Sequence, residues 1–237
     1  MVFVTGGASG IGEDIVRAFV ANGSKVALVD IQDQPGRALA AELGALFIPC
    51  DVTDTGALVA AIAATRDQLG NIGVLVNNAA NDNRRAIDDV TPDYWDQQMG
   101  VNLKPQFFAA QAVRPQMQAL GGGSIINFSS IAWRYGADAM SVYATAKSAT
   151  IGLSMALARG FGADGIRVNS IEPGAVMTDR QRLLWYPEQA DVDRMVGQQI
   201  IKQVLRGDHI ARMVLFLASD DAAMITKQTF IVDAGMR

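Results

Sequence analysis

Residues 2–12 of the chain read VFVTGGASGIG, an apolar run followed directly by a turn rich in glycine. The apolar run predicts a buried strand, and Ile11, Ile15 and Phe19 after it share one face of a helix. Glycines at such a junction let the backbone turn sharply and approach a pyrophosphate, which the helix N-terminus attracts. The stretch therefore predicts a strand–turn–helix unit that binds a dinucleotide, although plain turns also use glycine.

The alternation of strand and helix continues along the rest of the chain. Nearly continuous apolar runs are typical of parallel strands that are covered on both faces. The pattern predicts an α/β fold with a doubly wound, seven-stranded, mostly parallel sheet and helices on both faces, in a single domain over residues 1–237. The predicted strands span residues 2–5, 25–30, 45–49, 74–77, 124–128, 167–171 and 229–232.

Composition excludes several classes of protein. Half of the 237 residues are hydrophobic, 19% are charged and the net charge is −4. These values fit a globular protein with a hydrophobic core. They show no excess of positive charge of the kind that binds nucleic acid or a membrane surface. A single cysteine, with no signal peptide or long apolar stretch, favours a reducing compartment, and we expect the cytoplasm. The first strand is already under way at Met1, so we expect further residues upstream.

Histidine chemistry and a zinc site are both disfavoured by the composition. The single histidine, His209, lies where a helix begins, and we expect it to be solvated or to cap that helix. With so few thiol and imidazole ligands, no metal site is predicted.

Asp30 bears on the choice of dinucleotide. It ends the second predicted strand, 18 residues after Gly12. A carboxylate at this point can accept hydrogen bonds from ribose hydroxyls and would repel a 2′-phosphate. The surrounding side chains bring no cation: Ala8, Ser9, Ile31 and Gln32. The prediction is NAD rather than NADP, and a turn-forming aspartate is the alternative.

Two further strand ends are candidates for cofactor contact. Asp51, just before Val52, could accept a hydrogen bond from an adenine amino group or could cap the next helix. The small residues NNAA (77–80) end the fourth strand and could lie against a flat cofactor, or could form an ordinary turn.

These motifs, taken in order, resemble the short-chain dehydrogenase/reductase family over essentially the whole chain. The stretch TGGASGIG (5–12) is similar to the family's glycine motif, and NNAA (77–80) to its Asn-Asn-Ala-Gly motif, with Ala80 in place of the usual glycine. Asn102 resembles the family's helix asparagine. A single motif of this kind is common by chance, whereas the ordered set is specific.

The second half of the chain carries the catalytic part of the resemblance. Ser130, 13 residues before Tyr143, resembles the catalytic serine, which favours it over Ser129. Tyr143 and Lys147 match the Tyr-x-x-x-Lys motif, and residues 173–178 match the Pro-Gly-x-x-x-Thr segment along the nicotinamide.

The resemblance implies a Rossmann-type fold, hydride transfer with NAD and a homotetramer. In that tetramer the helices around 101–117 and 142–162 pair between subunits, and the C-terminal strand lies at a second interface. It also implies these cofactor contacts: Gly6, Ser9, Gly10, Ile11, Gly12, Asp30, Ile31, Asp51, Val52, Asn78, Ala79, Ala80, Tyr143, Lys147, Pro173, Gly174, Val176 and Thr178.

Removal of a hydroxyl proton needs a base, and a free phenol with a pKa of about 10 is a poor one. Tyr143 and Lys147 lie one helical turn apart, and an adjacent ammonium is expected to lower the pKa of the phenol. Ser130 would hydrogen-bond the reacting oxygen, and by family analogy Asn102 would hold a water that links Lys147 to solvent. Each residue taken alone also has a structural interpretation. Tyr143 could be a packing residue and Lys147 a solvated charge on the helix surface. Ser130 could form a turn or a cap, and Asn102 could be an ordinary polar residue of a helix.

The expected substrate pocket is lined by polar and charged residues together with aromatic side chains, and it suits a sugar better than a steroid or an acyl chain. Glu172 could bind a hydroxyl group or form an ion pair with an arginine. The polar region 177–203 is predicted to be an insertion that acts as a mobile substrate lid. The candidate substrate residues are Asn81, Asp82, Trp133, Arg134, Glu172, Arg180 and Trp185.

Several stretches, among them 77–84, 94–96 and 126–133, are similar to bacterial aldose 1-dehydrogenases, especially those acting on xylose. This implies NAD-dependent oxidation of a sugar at C1 to the lactone, with Tyr143 as general base. The alternative is a dehydrogenase or reductase for another polar alcohol or ketone, such as a polyol or a keto-deoxy sugar acid. A non-catalytic NAD-binding regulator is a third possibility, against which the intact Ser130, Tyr143 and Lys147 argue.

Overall fold

A computed structural model of the chain describes residues 1–236. Its strands are β1 (Val2–Thr5), β2 (Val26–Asp30), β3 (Leu46–Pro49), β4 (Val74–Asn77), β5 (Gly123–Phe128), β6 (Ile166–Pro173) and β7 (Thr229–Val232). Across the described residues they form one sheet in the order β3-β2-β1-β4-β5-β6-β7, and every neighbouring pair is parallel. The predicted doubly wound α/β fold is confirmed, and the sheet is wholly rather than mostly parallel.

Helices cover both faces of this sheet. One hydrophobic core lies between the sheet and α3, α5 and α7, and a second lies between the opposite face and α1, α2 and α10. The helices are α1 (Gly10–Ala21), α2 (Asp33–Leu43), α3 (Thr55–Leu69), α4 (Pro92–Asn102), α5 (Lys104–Ala119), α6 (Ala132–Tyr135), α7 (Ser141–Phe161), α8 (Asp179–Leu184), α9 (Gln189–Gln198) and α10 (Gly207–Ala218).

The central strand β1 shows why the strands are apolar at almost every position. Phe3 belongs to the core under α3, α5 and α7, whereas Val2 and Val4 belong to the core on the other face. Successive side chains of a strand point to opposite faces, so a strand with both faces covered needs apolar residues throughout. Each such side chain contributes roughly 1.5–3 kcal/mol through burial.

The predicted strand boundaries agree closely with the structure, except at the end of β6. That strand was expected to end at residue 171, but it continues through Glu172 and Pro173, which pair with Ile231 and Val232 of β7. The acidic residue and the proline obscured this extension because both are depleted in strands.

The carboxyl ends of the strands meet at one edge of the sheet. Thr5 is in register with Asn77, and Asn77 with Asn127. Parallel strands deliver the loops that follow them to the same side, so the glycine turn and the segments after β4, β5 and β6 lie together.

The region 177–203, predicted as a lid, consists of the short helices α8 and α9 and their connections between β6 and α10. Within residues 1–236, none of the helices has the length and apolar character needed to cross a bilayer.

Candidate active site

The glycine turn between β1 and α1 is built for close backbone approach. Gly6 has φ of +63°, and a Cβ atom on Gly12 would lie 1.9 Å from the carbonyl oxygen of Gly6. A side chain is therefore excluded at Gly12, and an L-residue would be strained at Gly6. The N-cap residue Ser9 makes no side-chain capping bond, so the first N–H groups of α1 have neither a helical acceptor nor the Ser9 side chain as a partner. The turn forms a cradle for an anion.

The end of β4 is tied to this turn. Asn78 donates from Nδ2 to the carbonyl oxygens of Thr5 (3.1 Å) and Gly6 (2.8 Å). The Thr5 hydroxyl oxygen in turn accepts from the backbone N–H groups of Asn78 and Ala79. Ala79 lies so close that a Cβ on Gly6 would be 2.8 Å from its Cα. The small residues predicted to lie along a cofactor thus form one rigid unit with the glycine turn.

Asp30 lies beside the glycine turn and is only 7% exposed. Its carboxylate accepts hydrogen bonds from the N–H groups of Ala8 (3.0 Å) and Gln32 (3.0 Å). Ser9 accepts from the Gln32 side-chain amide at 2.9 Å. The neighbouring Ile31 is 72% exposed. Asp30 both supports the turn and places an acidic group beside it, so the turn-forming and ribose-binding interpretations are compatible.

Asp51 is exposed and does not cap α3. Its carboxylate accepts from the backbone and hydroxyl of Thr53, whereas Asp54 caps α3 by accepting from Ala57. The alternative that Asp51 caps the following helix is wrong, because α3 begins at Thr55 and Asp54 is its N-cap residue. Val52 is buried in the core, so any cofactor contact would use its backbone.

Ser130, Tyr143 and Lys147 line the same cleft of about 320 Å³. Several of the predicted cofactor contacts also line this cleft, namely Ile11, Asn78, Ala80, Pro173, Gly174 and Val176. Thr178 approaches the glycine turn, where a Cβ on Gly10 would lie 3.2 Å from its methyl group. The structure therefore brings the two halves of the predicted site together around one cavity.

The two adjacent serines differ in what their hydroxyl groups do. Ser129 donates to the carbonyl oxygen of Lys147 at 2.6 Å and is buried. Ser130 accepts from the N–H of Ala132 at 3.2 Å, and its hydroxyl also hydrogen-bonds Tyr143. Ser130 is the serine placed to contact a reacting oxygen, as the family spacing indicates.

Burial dominates the electrostatics of Tyr143 and Lys147. It raises the pKa of the Tyr143 phenol, a rise that a hydrogen bond from Ser130 opposes and the charge of Asp82 reinforces. Burial also lowers the pKa of Lys147 to about 7, against the opposing effect of Asp82. Lys147 Nζ lies 5.5 Å from the centroid of the Tyr143 ring and donates to the carbonyl oxygen of Phe128 at 2.8 Å.

The expectation that the lysine lowers the pKa of Tyr143 is therefore wrong for the protein alone. The phenolate is penalised by desolvation more than its surroundings stabilise it. A lysine with a pKa of about 7 also carries only part of a positive charge at neutral pH.

Asn102 is fully buried and holds the segment after β4. Its side-chain amide accepts from the N–H of Asn81 (2.9 Å) and donates to the Asn81 carbonyl oxygen (3.0 Å). Its backbone carbonyl accepts from Gln106 Nε2, which also approaches the Phe128 carbonyl bound by Lys147. Asn102 thus lies within reach of Lys147 through Gln106.

Sequence reasoning missed Gln106. A detectable signal existed: Gln106 interrupts the apolar face of α5 that carries Ala109, Val113 and Met117, and it is only 3% exposed. A polar residue at a buried position of an apolar helix face is more informative than another apolar residue.

The candidate substrate residues fall into two groups. Asp82 and Arg180 line the cleft, with Asn81 and Trp185 bound to them. Glu172 is completely buried, and its carboxylate accepts from Arg134 Nε (2.6 Å) and from Trp133 Nε1 (3.2 Å). Of the two interpretations of Glu172, hydroxyl binding is wrong and the ion pair with an arginine is confirmed, because its buried oxygens are used by Trp133 and Arg134.

His209 behaves as expected at the start of α10. Its Nδ1 accepts from the backbone N–H of Arg206 at 3.1 Å, which is a capping interaction.

The residues present fit a nicotinamide dinucleotide. The glycine turn leaves space where side chains would block an anion, Asp30 supplies a carboxylate for ribose hydroxyls, and the cleft beside Tyr143 is continuous with the turn through Ile11.

Comparisons with known proteins cover nearly the whole chain. A family model described as enoyl-(acyl carrier protein) reductase matches residues 6–237. A probable galactose dehydrogenase of Rhizobium meliloti is 45% identical, over 99% of this chain and 94% of that protein. A D-xylose 1-dehydrogenase of Caulobacter vibrioides is 42% identical, over 100% of this chain and 95% of that protein. A D-threitol dehydrogenase of Mycolicibacterium smegmatis is 34% identical, over 99% and 92% of the two chains. These similarities agree with the parallel sheet, and the chain belongs to the short-chain dehydrogenase/reductase family.

Proposed function

We propose that this protein oxidises an aldose at C1 to the lactone with NAD, and that Tyr143 is the general base. The observation that carries the proposal is the meeting of Ser130, Tyr143 and Lys147 in one cleft next to the glycine turn. The similarity to proteins named galactose dehydrogenase and D-xylose 1-dehydrogenase supports a sugar as the substrate.

The chain's own residues would handle the proton. Tyr143, as phenolate, would take the hydroxyl proton of the substrate, and Ser130 would donate a hydrogen bond to the same oxygen. A bound NAD would supply the nicotinamide ring that accepts the hydride, together with the positive charge of that oxidised ring. Lys147, when protonated, would stabilise the phenolate electrostatically, and its bond to Phe128 holds it in the cleft.

The preference for NAD is supported by Asp30. A carboxylate at the end of β2 favours ribose hydroxyls and disfavours a 2′-phosphate. The acidic side chain is held in place by the N–H groups of Ala8 and Gln32, so it cannot easily turn away from a phosphate.

The chemistry of the cleft supports a polyhydroxylated substrate. Asp82, Arg84, Arg180 and Gln181 line it together with Tyr135 and Tyr186. Sugars present many hydroxyl groups and an apolar C–H face, and such a mixture of polar and aromatic side chains matches both. A polyol is the second candidate, favoured by the similarity to a D-threitol dehydrogenase.

A spectrophotometric panel tests the proposal. Pentoses, hexoses, 6-deoxyhexoses, sugar acids and polyols would be offered with NAD and with NADP, and formation of the reduced cofactor would be followed by its ultraviolet absorbance. We expect turnover with an aldose and NAD, a lactone product that hydroxylamine traps, and a drop of at least about 1,000-fold in Tyr143→Phe, as expected when a general base is removed.

Binding measurements separate the possible failures. NADH affinity of Tyr143→Phe should stay within about twofold, because the phenol is needed for proton transfer rather than for holding the dinucleotide. Bound NADH without turnover of any aldose would refute the sugar proposal, and turnover of polyols alone would favour the second candidate. Full activity of Tyr143→Phe would refute the assignment of the base.

A further inference from the structure

A short segment between β4 and α4, residues 81–85, crosses one wall of the cleft; we refer to it as the cleft strap. Hydrogen bonds from neighbouring segments hold it at several points. Asn102 brackets the backbone of Asn81 with two hydrogen bonds, and the Tyr94 hydroxyl donates to the carbonyl oxygen of Asn83 at 2.9 Å. The N–H of Arg85 donates to Ala139 at 2.7 Å. The cleft strap is therefore a firm support rather than a loose loop.

Asp82 projects from this support to helix α8 and the residue after it. Its carboxylate accepts from Arg180 Nε (3.1 Å), Gln181 Nε2 (2.7 Å) and Trp185 Nε1 (3.1 Å). The donors lie about a hundred residues further along the chain, and the Asp82 side chain is only 17% exposed. Arg84 adds a stacking contact, with its guanidinium carbon 3.9 Å from the centroid of the Trp185 ring.

These contacts form part of the cleft wall itself. Asp82 and Arg84 of the cleft strap and Arg180 and Gln181 of α8 line the same cavity as Tyr143 and Lys147. A helix of six residues is too short to hold its place by its own hydrogen bonds. Its position across the cleft therefore depends on tertiary contacts. These include a backbone bond from Met177 to Leu205, bonds from Arg180 to Asn81 and Asn83, and three side-chain bonds to Asp82.

Direct binding of a substrate hydroxyl is the competing role for Asp82. An ionised carboxylate offers about four acceptor sites. Arg180, Gln181 and Trp185 already occupy most of them, so little capacity is left for a substrate unless α8 moves.

We propose that Asp82 is a positioning residue that latches α8 across the substrate cleft. When Asp82 holds its donors, α8 closes the cleft; when it releases them, α8 can move away and admit or release the substrate. The proposal deepens the proposed function and rests on it in one respect, namely that this cleft is where the substrate is oxidised. The latch is charge-assisted, so replacing the carboxylate weakens the contacts with all the donors at once.

Hydrogen–deuterium exchange tests the latch without any substrate. Asp82→Asn, Arg180→Gln and the double variant would be compared with the wild type, with exchange read on peptides covering residues 178–186. The matched control is Asp88→Asn, which changes an exposed aspartate near the cleft strap. We expect exchange in this region to rise about tenfold in Asp82→Asn, roughly the effect of losing a charge-assisted hydrogen bond. The control should leave it unchanged.

The double variant shows whether the two residues act together. Arg180 also donates to the side chains of Asn81 and Asn83, so part of its effect does not depend on Asp82. If Asp82 and Arg180 belong to one latch, the rise in exchange in the double variant is smaller than the product of the rises in the two single variants. Multiplying effects would overturn the proposal, because they would mean that the residues stabilise α8 independently. Unchanged exchange in Asp82→Asn would overturn it as well.

Kinetics with an oxidised substrate gives the second readout. A latch predicts that KM rises about tenfold in Asp82→Asn, that kcat stays within about threefold, and that NADH affinity is unchanged. A raised KM with unaltered exchange would instead assign Asp82 to direct substrate binding and would refute the latch. If no sugar is oxidised, the exchange experiment still decides on the latch, and only the proposed function fails.

Discussion

Tyr143 and Lys147 show how strongly burial acts on single side chains. Desolvation raises the pKa of the phenol and lowers that of the ammonium, so in the protein alone both groups favour their neutral forms. The sequence predicted which residues meet, since a spacing of four positions places them on one helix face. It could not predict the direction of the Tyr143 shift, because burial depends on the surrounding segments.

The raised pKa of Tyr143 predicts the pH dependence of oxidation. A general base must be deprotonated, and at neutral pH only a small fraction of Tyr143 is phenolate when its pKa lies above the ordinary value. We expect kcat/KM for oxidation to rise with pH from about 6 to about 10, with carbonyl reduction favoured at the lower end. Initial rates in both directions across this range would check it, and a profile for oxidation that falls with pH would contradict it.

Removing the Lys147 charge should stabilise the protein in a pH-dependent way. Below about pH 7 the lysine is charged in both the folded and the unfolded chain, so burial of the charge lowers the free energy of unfolding by its full amount. Between that pH and the ordinary lysine pKa of about 10.4, only the unfolded chain keeps the proton, and the penalty shrinks as pH rises. Lys147→Met should therefore raise the free energy of unfolding by about 2 kcal/mol or more at about pH 6, after the lost hydrogen bond to Phe128 is subtracted.

Urea unfolding at several pH values would measure this gain, which should decline steadily toward about pH 10. The exposed Lys227→Met is the matched control and should give no gain that depends on pH. A loss of stability in Lys147→Met at about pH 6 would contradict the burial argument. Activity should fall sharply in the same variant, as is common where a site retains a costly group.

The short helices α6 and α8 beside the cleft are each held by one carboxylate that accepts several side-chain hydrogen bonds; we call the set of bonds to Glu172 the Glu172 clasp. Helix α6 has four residues, and Glu172 of β6 binds both Arg134 and Trp133 within it. The sequence left the role of Glu172 open, since its partners lie about 38 positions away. Local patterns predict β1 and β4 correctly because strands buried on both faces are apolar at almost every position. Contacts between distant segments produce no comparable pattern in the sequence.

Breaking the Glu172 clasp should loosen α6 and lower stability. Glu172→Gln keeps the size but loses the bidentate, charged contact with Arg134. We expect a loss of about 1–3 kcal/mol, less than for a fully buried pair because Arg134 is 32% exposed and can be solvated. Urea unfolding would measure it.

The exposed ion pair of Arg66 and Asp67 offers a matched control, and Asp67→Asn should cost less than about 0.5 kcal/mol. Equal effects of the two substitutions would contradict the importance of the buried clasp.

The molecule as a whole presents an apolar groove that a single chain leaves uncovered. It has a volume of about 550 Å³ and is formed by α4, α5 and α7, with Phe107 41% exposed beside Met99 and Leu153. The predicted homotetramer places two of these helices, α5 and α7, at a subunit interface. The sequence predicted seven strands in a mostly parallel sheet but not their order, because the order depends on pairing between distant segments.

A charge in this groove should disrupt assembly. Phe107→Asp should lower the molecular mass measured by light scattering on a sizing column, because a buried aspartate without a partner opposes association. Val59→Asp on α3 is the matched control, since Val59 is 42% exposed outside the groove. An unchanged mass in Phe107→Asp, or a monomeric wild type, would contradict the predicted interface.

The strand order has a consequence for how the protein is made. From β4 onward, each newly synthesised strand joins the growing edge of the sheet in the order of translation. The N–H of Gly174, in the cleft wall, bonds to Val232 of the strand that joins after all the others. A nascent chain on the ribosome could therefore assemble its dinucleotide half early, whereas the catalytic wall would be completed only after Val232 has left the exit tunnel.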